Sequence, residues 1–284
     1  CFISLPRSLS STEPGSLVMQ ARNFLAGTPD LFANILAIPH ANTPIVKFLH
    51  KPTNTCCDVS LNNALGVRNS ALVKFLFITD PRLQTLALLL KYWARVHSLS
   101  GTRKLSNYTL VMMLIFYLQQ PHVSILPPIR WLRTFPVYVE CWDTSFCQDL
   151  NRFPTNKNTS PVQDLLGGFF KYYSEFYFKR FVVCPYLGVP VEKELFVDLN
   201  RLPGGLELYK QNLINKFCLP LKVSSPICVQ DPFDQSHNIA VCILHTLRLK
   251  ERRQFFQHSM DMPCGCRVYR VWGREEQNGV SGLQ

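Results

Sequence analysis

Residues 108–118 read YTLVMMLIFYL, eleven positions without a charge. A membrane-spanning helix needs roughly 20 such residues, and a helix lying on a surface needs a polar face that this run lacks. The run therefore predicts a helix buried in the core, with other elements packed around it. Ser106 is placed to cap its start and Pro121 to stop it. Partners with one apolar stripe flank it. After Asp80-Pro81, a pair that supplies an N-cap and a first-turn proline, Leu83, Leu86, Ala87, Leu90 and Ala94 recur at helical spacing and end before Gly101. After Ser160-Pro161, residues Val162, Leu165, Leu166, Phe169, Phe170, Tyr173 and Phe176 do the same. The stretch 181–228 is mixed, with a turn at Pro203-Gly204-Gly205, and a last helix is expected to begin at Ser236 and run through the basic cluster Arg248, Lys250, Arg252 and Arg253.

The first part of the chain has a different period. A helix is expected around residues 17–25, followed by strands at 34–38, 44–50 and 57–61. Alternation along the third strand puts Cys57, Val59 and Leu61 on one face and Asp58 with Ser60 on the other. Asp58 is thus aimed away from the core. With no repeat and no low-complexity linker, this change of period marks the division of the chain.

A formal charge of +11 suits a polyanionic partner, because Lys and Arg beside phosphates release condensed counterions. Most of the basic residues are dispersed, and the cluster near Arg248 also has the composition of a solvated helix face. Eleven cysteines, an odd number without paired zinc spacing, fit a reducing intracellular compartment. Cys264 and Cys266 with His258 upstream lack an evident fourth ligand, so no metal site is expected there.

Five stretches, in order, carry a resemblance: TPIVKFLHKPTNTCCDVSLNN, GVRNS, DPRLQTLALLLKYWARVHSLSG, KLSNYTLVMMLIFYLQ and QDPFDQSHNIA. Spread over roughly residues 30–245, they resemble the family of non-canonical poly(A) polymerases and terminal uridylyltransferases, its nuclear uridylyltransferase branch in particular. In that family three carboxylates on a catalytic sheet hold two divalent ions, Mg2+ or Mn2+, that activate an RNA 3′ hydroxyl and neutralise the leaving pyrophosphate. The resemblance makes Asp58 the third carboxylate, catalytic and metal-binding; without it, Asp58 reads as an exposed strand residue in a salt bridge. The other two carboxylates belong to a Gly-Ser turn and an Asp-x-Asp strand, and nothing before Asp58 fits them. The earlier acidic residues, Glu13 and Asp30, have no acidic partner two positions away. The metal site is therefore expected to be incomplete in this chain, and the chain to be a fragment or to have lost its N-terminal half and to be inactive alone.

The same resemblance assigns a nucleotide pocket. Asn62, Asn63, Asn69 and Ser70 match polar residues that contact ribose and phosphates, a role amides and hydroxyls suit because they donate and accept; capping or turn roles are the alternative. Lys91 and Arg95, four apart on one helix, share a face and match a basic pair that grips the triphosphate. Ser106, Asn107 and Tyr108 lie at a helix start, where free N–H groups favour phosphate, and Tyr108 matches an aromatic on which the incoming base stacks. A core tyrosine is its alternative. Asp231, Asp234 and His237 match residues that read the base edge. An imidazole N–H can donate to uracil O4, whereas the amino group of adenine would oppose it. Gln84 departs from the pattern, standing where relatives carry a basic residue.

The expected fold class is α+β: the remnant of a nucleotidyltransferase palm sheet over residues 1–76, a mostly helical PAP-associated domain over 77–259, and a disordered tail over 260–284. The expected function is part of a template-independent nucleotidyltransferase that adds uridylate from UTP to RNA 3′ ends by two-metal phosphoryl transfer. An adenylyl-adding member using ATP, or an inactive truncated paralogue that binds RNA or nucleotide, are the alternatives. The resemblance favours the nucleus, leaves cytoplasm and mitochondrion open, involves no membrane, and says nothing of oligomeric state.

Overall fold

Alternation of apolar side chains sorts the first part of the chain into a sheet with one covered face. The computed structural model of the protein describes residues 2–3, 14–41, 43–61, 63–100 and 104–240. Asn62, the expected helix beyond residue 240, the tail from Met260, and His258 with Cys264 and Cys266 lie outside the described residues. Helix α1 (Pro14–Ala26) precedes strands β2 (Phe32–Ile38), β3 (Ile45–His50) and β4 (Thr55–Leu61), with a short β1 (Phe2–Ile3) at the beginning of the chain. The sheet order is β1-β4-β3-β2; β1 runs parallel to β4 and the other pairs are antiparallel. Leu17 and Val18 of α1 bury themselves against Val46, Val59 and Leu61. The face opposite carries Lys47 and Asp58, which are register partners.

Helix α2 (Ala64–Ile78) contains the boundary between two compact units, which falls between Ala71 and Leu72. The second unit is built on α3 (Arg82–Val96), α4 (Asn107–Leu118) and α5 (Val162–Glu175), each in contact with the other two. Every residue of α4 from Thr109 to Leu118 is buried. Each large apolar side chain so buried contributes about 1.5–3 kcal/mol. The expected stripe of α3, Leu83, Leu86, Ala87, Leu90 and Ala94, is buried throughout. From α5, Tyr173 donates its hydroxyl to the Met113 carbonyl of α4 at 2.7 Å, and Phe170 meets Trp93 of α3 with ring centroids 4.8 Å apart. The class is α+β, as the period change implied. Among the described residues no helix is long and apolar enough to cross a membrane, and the seven described cysteines are all free.

The start of α3 departs from expectation. Asp80 does not occupy the cap position itself, because the helix begins at Arg82, yet its carboxylate still accepts the Arg82 backbone N–H at 2.9 Å. The same carboxylate pairs with the Arg82 guanidinium at 2.6 Å and accepts from Asn156 at 3.0 Å. Arg82 also donates to the Ser160 carbonyl at 2.7 Å, so this cluster ties the start of α3 to the segment leading into α5. Burial pushes the Asp80 carboxyl up, and the hydrogen bonds from Arg82 and Asn156 more than offset it, leaving it below the ordinary value.

Elements too short for periodicity to reveal lie between α4 and α5, the paired two-residue strands β5 (Tyr138–Val139) and β6 (Trp142–Asp143), and in the mixed stretch, the paired strands β7 (Phe181–Val182) and β8 (Val191–Glu192), then α6 (Glu207–Ile214). The helix expected from Ser236 is not there over residues 236–240, which form turns and a bridge from Asn238 to Gln230. Its N–H groups are taken by other acceptors: Ser236 donates to the Asp234 carboxylate at 3.1 Å and His237 to the Asp234 carbonyl at 2.9 Å.

Two adjacent glycines of α5 face different surroundings. A methyl group at Gly168 would lie 2.1 Å from the Tyr117 hydroxyl, whereas at Gly167 it would meet nothing within 4 Å. Gly168→Ala is therefore expected to lower stability by about 1–3 kcal/mol through overpacking. Gly167→Ala should raise it by about 0.5–1 kcal/mol through helix propensity. Urea unfolding of the two variants beside the parent checks both signs.

Candidate functional site

In the first unit the site residues lie on the uncovered sheet face and at the start of α2. Asp58 is exposed, and Lys47 reaches across from β3 to place its ammonium 2.9 Å from the Asp58 carboxylate. Asn63 caps α2: its side-chain oxygen accepts the Gly66 N–H at 2.9 Å, so close that a Cβ at Gly66 would fall 2.7 Å from the Asn63 amide. Ser70 donates its hydroxyl to the Gly66 carbonyl at 2.8 Å, which extends the same helix face by one turn. Asn69 lies beside it, half-buried. Among the described residues no three His, Cys, Asp or Glu side chains gather where they could hold a metal ion. A lone carboxylate already paired with an ammonium does not fit a two-metal site, which needs several hard oxygen ligands. No metal-dependent step is derived from it.

In the second unit the site is built on a turn running from Asp231 to Asn238. Asp231 is 2% exposed. One of its carboxylate oxygens accepts the backbone N–H groups of Phe233 (2.9 Å) and Asp234 (3.0 Å), an Asx turn. The other accepts the Tyr108 hydroxyl from the first turn of α4 at 3.0 Å. Thr109, next along α4, donates its hydroxyl to the Ile239 carbonyl at 2.7 Å. The turn closes on itself where the Asp231 N–H meets the His237 carbonyl at 3.1 Å. Asp234 is taken up by Ser236, whose hydroxyl donates to its carboxylate at 2.6 Å. Behind the turn, buried Gln230 hydrogen-bonds through its backbone N–H to the Val183 carbonyl and through its side-chain amide to the Gln235 carbonyl. The backbone around His237 is thereby held in place while its imidazole remains exposed.

Of the sequence-predicted residues, the fold thus gathers Tyr108, Asp231, Asp234 and His237. Ser106 and Asn107 precede Tyr108 directly; Ser106 caps α4 by accepting the Thr109 N–H at 3.0 Å, and Asn107 is exposed. Lys91 is half-buried and Arg95 exposed on α3, and neither makes a salt bridge among the described residues. Residues that the sequence did not single out also take part. Lys47 faces Asp58, a pairing legible only once the β3–β4 register is known. Thr109 and Gln230 anchor the turn through contacts that no local pattern announces.

Residues 10–76 match the family described as "Poly(A) RNA polymerase, mitochondrial-like, central palm domain", and residues 161–237 the Cid1 family of poly(A) polymerases. The human speckle targeted PIP5K1A-regulated poly(A) polymerase is 32% identical over 226 residues, 78% of this chain and 24% of that protein. The human mitochondrial poly(A) RNA polymerase is 28% identical over 211 residues, 72% of this chain and 31% of that protein. The chain belongs to the non-canonical poly(A) polymerase family. Its fold superposes on the crystal structure of mtPAP in complex with UTP with a TM-score of 0.72, at 25% identity, covering 91% of this chain and 50% of that one. On the Cid1 poly(U) polymerase the TM-score is 0.70 at 22% identity, over 92% of this chain and 74% of the other. The chain spans about a quarter to a third of the length of the curated relatives it matches.

In this family member burial shifts the titration of both partners in the Tyr108–Asp231 contact. Burial raises the Asp231 carboxyl from its ordinary 3.8 to about 6; the Phe233 N–H and the Tyr108 hydroxyl oppose that rise, and Asp234 adds to it. Burial beside this carboxylate likewise holds the Tyr108 hydroxyl well above its ordinary value. Because the folded carboxyl binds its proton more tightly than the unfolded one, its contribution to stability is fully present below pH 3.8 and is lost as pH rises through about 6. Asp231→Asn keeps an acceptor for the two N–H groups and removes the titration. The difference in melting temperature, parent minus variant, is expected to fall between about pH 4 and pH 6 and to be flat above. A difference independent of pH would count against this assignment.

Proposed function

We propose that this chain carries the nucleotide-reading part of a template-independent nucleotidyltransferase that adds uridylate from UTP to RNA 3′ ends. The observation that carries the proposal is the exposed His237 imidazole on a backbone pinned through Asp231 to Tyr108. A donor fixed in direction discriminates between a carbonyl and an amino group, because the wrong group leaves two donors facing each other. His237 would donate to uracil O4, with Asp231 and Asp234 shaping its turn, and the ring of Tyr108 would support the base. Lys91 and Arg95 would take the triphosphate from α3. Asn62, Asn63, Asn69 and Ser70 would serve ribose and phosphate. In the whole protein Asp58 would lend one carboxylate to a magnesium or manganese site, with residues 1–76 as palm and 77–259 as the PAP-associated domain. RNA is the acceptor in this reading, and the similarity to speckle targeted relatives favours the nucleus.

A second reading has the enzyme add adenylate. It is favoured by mtPAP, a structural relative solved in complex with ATPγS as well as with UTP, GTP and CTP. Calorimetric titration of UTP and ATP into the protein separates the two. UTP is expected to bind more tightly, and His237→Ala to bring the two affinities together, a change of about tenfold for one lost hydrogen bond of about 1.4 kcal/mol. Unchanged preference in the variant sinks the role of His237. Tighter binding of ATP by the parent favours the adenylyl-adding reading. In the full-length protein, failure to extend an RNA 3′ end with any nucleotide and Mg2+ or Mn2+ would leave a binding protein in place of an enzyme.

A further inference from the structure

Phe233 is the middle of the base-reading turn, 1% exposed, and its backbone N–H is one of the two that hold the Asp231 carboxylate. Its ring meets two groups. One is the Phe146 ring, stacked at 6.2 Å between centroids. The other is the guanidinium of Arg133, 5.7 Å from the ring centroid, which also lies 5.1 Å from the ring of Tyr186. Arg133 is not free to wander: its guanidinium pairs with the Asp143 carboxylate at 2.9 Å and donates to the Asp143 carbonyl. Asp143 is itself fixed by the N–H groups of Val137 (3.1 Å) and Ser145 (2.9 Å) and by the Ser145 hydroxyl (3.1 Å). Burial pushes its carboxyl up, and these donors together with Arg133 bring it below the ordinary value.

The backbone repeats the link. Arg130 donates its N–H to the Tyr186 carbonyl at 3.0 Å, and the Gln230 N–H reaches the Val183 carbonyl at 2.9 Å. Segments 129–133, 183–186 and 228–233 therefore lie side by side, with Arg133 across the first and the last. A planar cation over a buried ring attracts it strongly when both are desolvated, and the plane fixes the ring's direction as well as its distance. We infer that Arg133, locked by Asp143, is a positioning residue for base recognition: through Phe233 it sets the turn that presents His237. This deepens the proposed function and rests on it. Arg133 touches no substrate in this scheme.

The test is titration of UTP, ATP and inorganic tripolyphosphate into the protein and its variants by calorimetry, with melting temperatures measured alongside. Arg133→Met is expected to lower the UTP-to-ATP affinity ratio by about threefold to thirtyfold, the span of cation–π attraction, and to leave tripolyphosphate affinity unchanged. Arg133→Lys keeps the charge without the plane and should recover part of the ratio. Asp143→Asn releases the guanidinium and should act in the same direction as the methionine variant. The lysine and asparagine variants keep a polar group at each buried position, so the test does not depend on the methionine variant folding. A folded variant with an unchanged UTP-to-ATP ratio, or an equal loss for tripolyphosphate, overturns the inference. A parent protein that binds tripolyphosphate but does not distinguish UTP from ATP fails the proposed function itself, a result distinct from a normal parent with an indifferent variant.

Discussion

A buried carboxylate and a tyrosine hydroxyl, 123 residues apart in the chain, meet at 3.0 Å, and the turn that carries His237 is anchored by that contact. Asp231 is too deeply buried to be left unsatisfied, so its oxygens must find donors within the protein. Two come from its own turn and one from Tyr108 on the most buried helix of the structure. The result is a turn whose shape is dictated from inside: if α4 were displaced, the carboxylate would lose the tyrosine, and the turn would lose its anchor. Thr109, one residue on, repeats the attachment to the Ile239 carbonyl. The exposed imidazole of His237 thus stands on a backbone whose N–H and carbonyl are both hydrogen-bonded within the turn.

The first unit shows the opposite arrangement. Its core is small, Leu17 and Val18 against three strand residues, and its polar face carries one exposed carboxylate balanced by Lys47. An exposed pair of this kind contributes little to stability, about 0–1 kcal/mol. Its consequence is electrostatic: the ammonium occupies one side of the only carboxylate that the described part of β4 offers, and any cation approaching Asp58 meets it. The family reading makes this strand catalytic, and in the proposed reading the described residues serve nucleotide recognition more fully than metal binding.

Much of the architecture is legible in the pattern of residues along the chain. The run 108–118 predicts a helix buried in the core, and residues 109–118 are buried without exception. The stripe of α3 and the alternation of Val59 and Leu61 against Asp58 are equally plain, since burial of one face imposes its period on the sequence. What is not legible is short or long-range. Two-residue strands have no period. Over residues 236–240 the expected helix gives way to a turn because Asp234 accepts the Ser236 N–H and offers its own carbonyl to His237. Serine and aspartate serve turns as readily as helix starts, and only the partners around them decide.

The sequence by itself determined which segments could be buried and which side chains could do chemistry, because periodicity and residue type are local properties. It named Tyr108, Asp231, Asp234 and His237 through their resemblance to a family. The tertiary structure alone decided that Tyr108 gives its hydroxyl to Asp231, that Lys47 stands against Asp58, and that Arg133 is locked over Phe233 by Asp143. These are contacts between residues 10 to 123 positions apart. The physical reason is desolvation: burying a charge or a hydroxyl obliges it to find a partner, and which partner is within reach depends on how the chain has packed.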